Sequence, residues 1–189
     1  MHTRNTGILP AAVLTGLCLA ASLGCGGKAH YSVPDVVSYS PTQGPVGTTV
    51  VIGGADFSGV TVISFGGQPC QVYQVNSQSM ITAAVPPTAA TGPVTVENPA
   101  GIGTSYTSFI VTPTVTGISP TSGPATTAVT VTGTGLNTTT SATIGGQSCT
   151  FTIHSATEVV VVVSPAAVTG PVVLTASAIP ATGPVFTVQ

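Results

Sequence analysis

Charge is almost absent from this chain. Only 3% of the 189 residues are charged, and the carriers are Arg4, Lys28, Asp35, Asp56, Glu97 and Glu158. Nucleic acid is held by several Lys or Arg contacts to phosphate, and once a leader is removed only Lys28 would remain for that role, so no nucleic-acid partner is expected. Tryptophan is missing and aromatics are 5%. The tyrosines Tyr31, Tyr39, Tyr73 and Tyr106 are therefore what is left for the stacked platforms that sugars use. No CxxC, HExxH or Asp-rich calcium loop occurs, and the scattered acids are too few to close a site of about six oxygens. Neither metal nor cofactor is expected. What the chain has in quantity is 23 Gly and 16 Pro, set among Val, Ile and Thr, a composition that favours turns and short strands.

Arg4 precedes an apolar stretch, Ile8 to Leu23, which Pro10 and Gly16 interrupt and which is short for a membrane span. It reads as the core of a signal peptide over residues 1–24. The next run, Ala21-Ser22-Leu23-Gly24-Cys25-Gly26-Gly27, resembles the lipobox of bacterial lipoproteins, where a small residue precedes a Cys that is acylated and becomes the mature N-terminus. Gly24 and Cys25 fit, while Ser22-Leu23 departs from the family's Leu followed by a small residue. The resemblance implies membrane lipid as a partner through acylated Cys25. Two or three acyl chains hold a protein stably, at about 0.8 kcal/mol per buried methylene. No Asp follows Cys25, which implies the outer membrane or cell surface. The alternatives are cleavage after Ser22, giving a secreted or periplasmic protein, and an uncleaved N-terminal helix. Residues 25–33 then form a tether.

The strongest internal signal is a repeat. Ser40-Pro41-Thr42-Gln43-Gly44-Pro45 recurs as Ser119-Pro120-Thr121-Ser122-Gly123-Pro124, and Gly66-Gly67-Gln68-Pro69-Cys70 recurs as Gly145-Gly146-Gln147-Ser148-Cys149, both at an offset of 79. Thr91-Gly92-Pro93-Val94 recurs as Thr169-Gly170-Pro171-Val172 at 78, placing one lost residue between Gln71 and Asn76, and Phe109-Ile110-Val111 matches Phe186-Thr187-Val188 at 77, after a second loss. Seven strands are expected in the first copy: Val36 to Ser40, Thr49 to Ile52, Thr61 to Phe65, Cys70 to Val75, Met80 to Val85, Val94 to Glu97 and Ser105 to Val111. The second copy repeats them over Val115 to Ser119, Ala128 to Thr132, Ala142 to Ile144, Cys149 to Ile153, Glu158 to Val163, Val172 to Ala176 and Val185 to Val188. The fold class is all-β, two tandem immunoglobulin-like β-sandwiches after an N-terminal signal helix.

Ser40-Pro41, Gly44, Gly47, Val50-Val51-Ile52-Gly53-Gly54, Phe57, Phe65-Gly66-Gly67 and Gly92-Pro93-Val94 together resemble the IPT/TIG domain, an immunoglobulin-like module of plexin-type receptors, some transcription factors and many bacterial surface proteins. The second copy departs by placing Thr126 at the position of Gly47 and Leu136 at that of Phe57. The expected modules are 34–112 and 113–189.

Catalytic constellations are missing from the pattern. Nucleophilic catalysis needs a nucleophile, a base and an orienting group in reach, and the mature chain offers His30 in the tether and His154, which aligns with Asn76. Asp56, Glu97 and Glu158 fall at non-equivalent positions, so they read as surface carboxylates. No enzyme is expected. Cys70 and Cys149, one per copy at equivalent positions, read as small buried hydrophobes that do not pair. Val159 to Val163 aligns with Ile81 to Val85 and reads as a strand with one face in the core. Asn137-Thr138-Thr139 matches a glycosylation sequon by coincidence.

These readings point to an exported, lipid-anchored cell-envelope protein whose two modules form a structural stalk or a protein-interaction surface. Contact would run through the loops Ala55 to Val60, Pro86 to Thr91 and Asn98 to Thr104, with Phe57 as their main anchor, or through an exposed strand edge. The alternative is a carbohydrate-binding accessory module at the cell surface; the protein or glycan ligand is unknown.

Overall fold

The computed structural model describes residues 30–189; the expected signal peptide, Cys25 and most of the tether lie outside them. The first repeat contains β1 (Asp35–Ser40), β2 (Gln43–Gly44), β3 (Thr49–Ala55), β4 (Val62–Phe65), β5 (Gln68–Pro69), β6 (Tyr73–Ser77), β7 (Met80–Ala84), β8 (Gly92–Asn98) and β9 (Gly101–Val111). They form a four-stranded sheet, β1-β3-β7-β6, facing a five-stranded sheet, β2-β9-β8-β4-β5. The pairings are antiparallel except for β2 with β9. The expected all-β, immunoglobulin-like architecture is therefore the one observed.

The second repeat contains β10 (Thr114–Ser119), β11 (Ser122–Gly123), β12 (Ala128–Thr134), a single 3-10 turn (Leu136–Thr138), β13 (Thr139–Ile144), β14 (Gln147–Ile153), β15 (Glu158–Val162), β16 (Gly170–Ala176) and β17 (Ile179–Val188). Its strands run as one sheet, β10-β12-β15-β14-β13-β16-β17-β11, because β14 pairs with β13 through Gln147–Cys149 and with β15 through Thr150–Ile153. One strand thus passes from one layer of the sandwich to the other.

The expected strand Cys70 to Val75 does not exist as such. The first repeat breaks at Cys70–Val72 into β5 and β6, where the second runs through without interruption. The extra residue of the first copy falls in this break, and Pro69 has no amide to continue a ladder. The Cys70 thiol closes the kink by donating toward Val72 O and Ala84 O, each at 3.0 Å. The second lost residue is also localised. Thr95 pairs with Thr104 and Pro93 with Ser108, leaving Ser105, Tyr106 and Thr107 opposite Val94. In the second repeat Val173 pairs with Thr182 and Pro171 with Val185, leaving only Gly183 and Pro184 opposite Val172. Both length differences sit where a ladder is already irregular, so neither shifts the inward-facing set.

Each repeat has its own core. In the first, Phe65 meets Phe109 edge to face at 5.3 Å between ring centroids, among Ile52, Ile63, Ile81 and Val96. In the second, Phe186 packs with Ile144, Leu174, Val131 and Val161. Alternation produces this. In β15, Val159 and Val161 are buried while Val162 is exposed, and the strand lies between β12 and β14, so the valine run is an interior strand with one face inward. Burying each such Val or Phe contributes about 1.5–3 kcal/mol.

Two motif glycines far apart in sequence meet in space. A Cβ on Gly92 would stand 2.7 Å from Gly66 Cα, and one on Gly170 would stand 2.5 Å from Gly145 Cα. Gly66 and Gly145 both have φ of 56°, and a Cβ on either would strike the carbonyl of Ala90 or Val168. The hairpin glycine and the glycine of Gly-Pro-Val are thus two sides of one backbone crossing.

Candidate functional site: the module poles and their junction

The N-terminal pole of the first repeat is built around Asn98, the last residue of β8 and 4% exposed. Its amide nitrogen lies 2.8 Å from Ser32 O, 3.2 Å from Ser58 O and 3.3 Å from Asp56 O, and its oxygen accepts from Ala100 N–H at 2.9 Å. One side chain thereby ties the incoming chain, the 55–60 loop and the β8–β9 turn together. Tyr31 lies over Gly59, and Val33 lies beside Gly101. The last residues of the expected tether therefore pack on the first repeat.

This geometry corrects two expectations about contact loops. Phe57 is fully buried, since Asp56 with φ of 59° turns the chain inward, and Leu136 does the same in the second repeat after Gly135 with φ of 67°. Phe57 is a core plug and offers a partner nothing. The segment Asn98 to Thr104 is no loop either, because Asn98 pairs with Gly101 across a two-residue turn and Gly101–Thr104 belongs to β9. Pro86 to Thr91 does lie between strands.

The junction between the repeats is short and polar. Only Thr112 and Pro113 separate β9 from β10, and Thr112 N–H donates to Gly44 O at 3.0 Å. Thr91 Oγ1 accepts from Val111 N–H at 3.0 Å and also bonds Ser177 Oγ at 3.0 Å. Ser177 Oγ in turn bonds Thr138 Oγ1 at 3.1 Å. Ser177 and Ala178, with φ of 51° and 63°, form the β16–β17 turn. Positive φ at both central positions matches a type I′ turn, normally made by Asn or Gly. On the other side, Gly135 lies against Val111, Thr112 and Pro113. Sequence reasoning missed Thr91, Thr138 and Ser177. The available signal was the Thr that precedes Gly-Pro in both copies, and Thr169 caps Val188 N–H at 3.0 Å as Thr91 caps Val111 N–H.

The other candidate residues do not converge. His154 and Glu158 approach to 3.6 Å on the surface, each side chain about half exposed. Asp35, Asp56 and Glu97 are exposed. Among the described residues no group of three or more His, Cys, Asp or Glu could hold a metal. Cys70 is buried and Cys149 only partly so, and both are free; the expectation of burial fails at Cys149, which stands where β14 passes from pairing with β13 to pairing with β15. Asn137 sits in the 3-10 turn, where Thr139 Oγ1 donates to Leu136 O at 2.7 Å. Tyr106 is 87% exposed. It stands out from a bulge that Ser105 stabilises, since the Ser105 hydroxyl accepts from Val94 N–H at 2.9 Å and donates to Thr107 O at 2.6 Å. Two shallow grooves flank the four-stranded sheet, one over Ser38, Ser40, Val51, Gly53 and Met80 and one beside Val72, Gln74 and Thr82.

A model of the IPT/TIG domain matches residues 34–111 and again 113–187. Human fibrocystin-L is 31% identical over 115 residues, covering 57% of this chain and 3% of that protein. Among solved structures, a surface glycan-binding protein of Prevotella bryantii superposes with a TM-score of 0.54 at 17% identity over 82% of this chain and 42% of that one. A protein from a xyloglucan utilisation locus of Bacteroides uniformis gives 0.39 at 20% identity over 83% and 50%. The chain spans half or less of the length of each of these proteins.

Proposed function

The chain belongs to the IPT/TIG domain family, a non-catalytic kind of fold, and on that premise we propose that it is an exported stalk, anchored by acylated Cys25, whose two modules hold a fixed spacing from the lipid and serve as a structural or protein-interaction element. The observation that carries this reading is the junction. A two-residue linker, a hydroxyl chain from Thr91 through Ser177 to Thr138, and Gly135 against Val111 restrict the swing that tandem modules otherwise have. The captured segment Tyr31 to Pro34 does the same at the membrane-facing end, so that within the proposed division 1–24, 25–33, 34–112 and 113–189 residues Tyr31 to Val33 of the tether act as part of the first module. An exported location at the outer membrane or cell surface follows from the anchor.

Two measurements test the reading. The mass of the native N-terminus should show a diacyl or triacyl group on Cys25, and an unmodified terminus elsewhere refutes the anchor. Small-angle scattering of the purified two-repeat portion should fit a single conformer, and Thr91→Val with Ser177→Ala should broaden it; a broad ensemble in the unsubstituted protein refutes the stalk.

A second reading, carbohydrate binding, is favoured by Tyr106. An exposed ring held on a stiffened bulge is the shape on which a sugar ring stacks. A glycan array on the whole chain and on Tyr106→Ala separates the two readings, since a stalk shows no signal that depends on Tyr106.

A further inference from the structure

The outer edge of β6 is open. It pairs with β7 on one side and with no strand on the other among the described residues. Ala84 N–H donates to Val72 O at 2.9 Å, so by the alternation of an antiparallel ladder Gln74–Thr82 is the next bonded pair, and the amide and carbonyl groups of Tyr73 and Val75 point outward. The second repeat has the same arrangement. His154 N–H donates to Glu158 O at 3.0 Å, Thr152–Val160 is the next bonded pair, and the outward groups belong to Phe151 and Ile153. Both edges read aromatic, polar, β-branched. Neither strand contains Lys, Pro or any charged residue, the usual guards of an edge, and β6 has only the bulge between Val75 and Ser77.

We propose that β6 is a self-association edge, to which β6 of a second copy of this chain adds antiparallel across a two-fold axis through Gln74. A second copy is the occupant because the edge complements itself. About that axis Tyr73 faces the partner's Val75, and Val75 the partner's Tyr73, which are aromatic to β-branched pairs of the kind that stabilise sheets. Gln74 faces its own symmetry mate, whose amide both donates and accepts. An edge without charge meets its copy without repulsion. Val75 is 40% exposed and the adjoining Val72 is 70% exposed, beside a groove lined by Thr49, Gln74 and Thr82, so pairing also covers apolar surface. The contact is isologous and closes at two copies. The bulge ends it after three residues, so the association is weak in solution and is best trapped covalently. The inference is independent of the anchor at Cys25.

The test is Gln74→Cys in the whole chain. A non-bonded antiparallel pair on the axis brings its Cα atoms to about 4.5 Å, within disulfide range. Mild oxidation should give about tenfold more disulfide-linked dimer than Thr82→Cys, which lies on the same face one strand inward. Adding Val75→Pro should abolish the crosslink, because the Val75 amide points outward and its loss breaks no internal bond. Val75→Lys should do the same, and it decides the matter should the proline variant melt lower. The proposal is overturned by equal crosslinking of Gln74→Cys and Thr82→Cys, by survival of the crosslink in Val75→Lys, or by a dimer trapped through Thr152→Cys and not through Gln74→Cys.

Discussion

Replacing Thr126 by Gly should stabilise the second repeat. The turn Pro124-Ala125-Thr126-Thr127 is closed by Thr127 N–H to Pro124 O at 3.3 Å, and Thr126 has φ of 72°. Its counterpart Pro45-Val46-Gly47-Thr48 is closed by Thr48 N–H to Pro45 O at 3.1 Å, with Gly47 at 84°. A positive φ at the third position is the type II pattern, which calls for Gly, and a β-branched residue there is a genuine outlier. The neighbouring ladder holds both turns alike, through Thr126 N–H to Val163 O at 2.8 Å and Gly47 N–H to Val85 O at 2.9 Å. Thr126 is exposed, and no heavy atom lies within 4 Å of a Cβ placed on Gly47, so the exchange changes backbone strain and little else. Left-handed φ costs an L-residue about 1–2 kcal/mol, and the freer unfolded chain of Gly returns about 0.4–1 kcal/mol of that. The net expectation is about 0.5–1 kcal/mol of added stability for Thr126→Gly and a similar loss for Gly47→Thr. Amide exchange on β12 and β3 reads each repeat separately, and protection should rise or fall about two- to fivefold. Unchanged or lowered protection of β12 in Thr126→Gly would refute the strain argument.

Gly92→Ala should destabilise the first repeat by about 2–3 kcal/mol, because the new methyl meets the Gly66 backbone and overpacking at a crossing has no soft neighbour to yield; chemical denaturation checks it. Asn98→Ala should cost about 1–3 kcal/mol through the carbonyls of Ser32, Asp56 and Ser58 that lose their donor, and limited proteolysis should then cut first near Tyr31 to Val33. Ser105→Ala should cost about 1–3 kcal/mol by orphaning the Val94 amide, whereas Tyr106→Ala, on the same bulge but exposed, should change stability by less than about 0.5 kcal/mol.

The repeat, the main strands and the family were legible because a half-buried strand must alternate, and because turns at fixed offsets carry Gly and Pro; the two-residue strands β2 and β11 and the split of one expected strand into β5 and β6 were not. The first lost residue could be placed to within a few positions, whereas the second was placed only by the strand pairing opposite Val94 and Val172. Phe57 was misread because a large aromatic among loop residues has no periodicity to mark it as inward, and only the positive φ at Asp56 sends it into the core. The Asn98 to Thr104 segment was misread because Asn, Pro and Gly signal a turn without fixing its length, and a two-residue turn consumed far less of the segment than its composition implied. Thr91, Thr138 and Ser177 left no signal beyond a repeated Thr, since hydroxyls that bond one another carry neither period nor motif.

The amino-acid order alone determined which faces would be apolar and therefore that the chain folds as two layered sheets used twice, since burial of alternating Val, Ile and Phe is a local property of each strand. Tertiary structure decided what lies at the ends of those strands. The hydroxyl chain at the junction, the capture of Tyr31 to Pro34 by Asn98, and the open edge of β6 depend on how distant backbones approach one another, and hydrogen bonds act only over the last ångström or so of that approach.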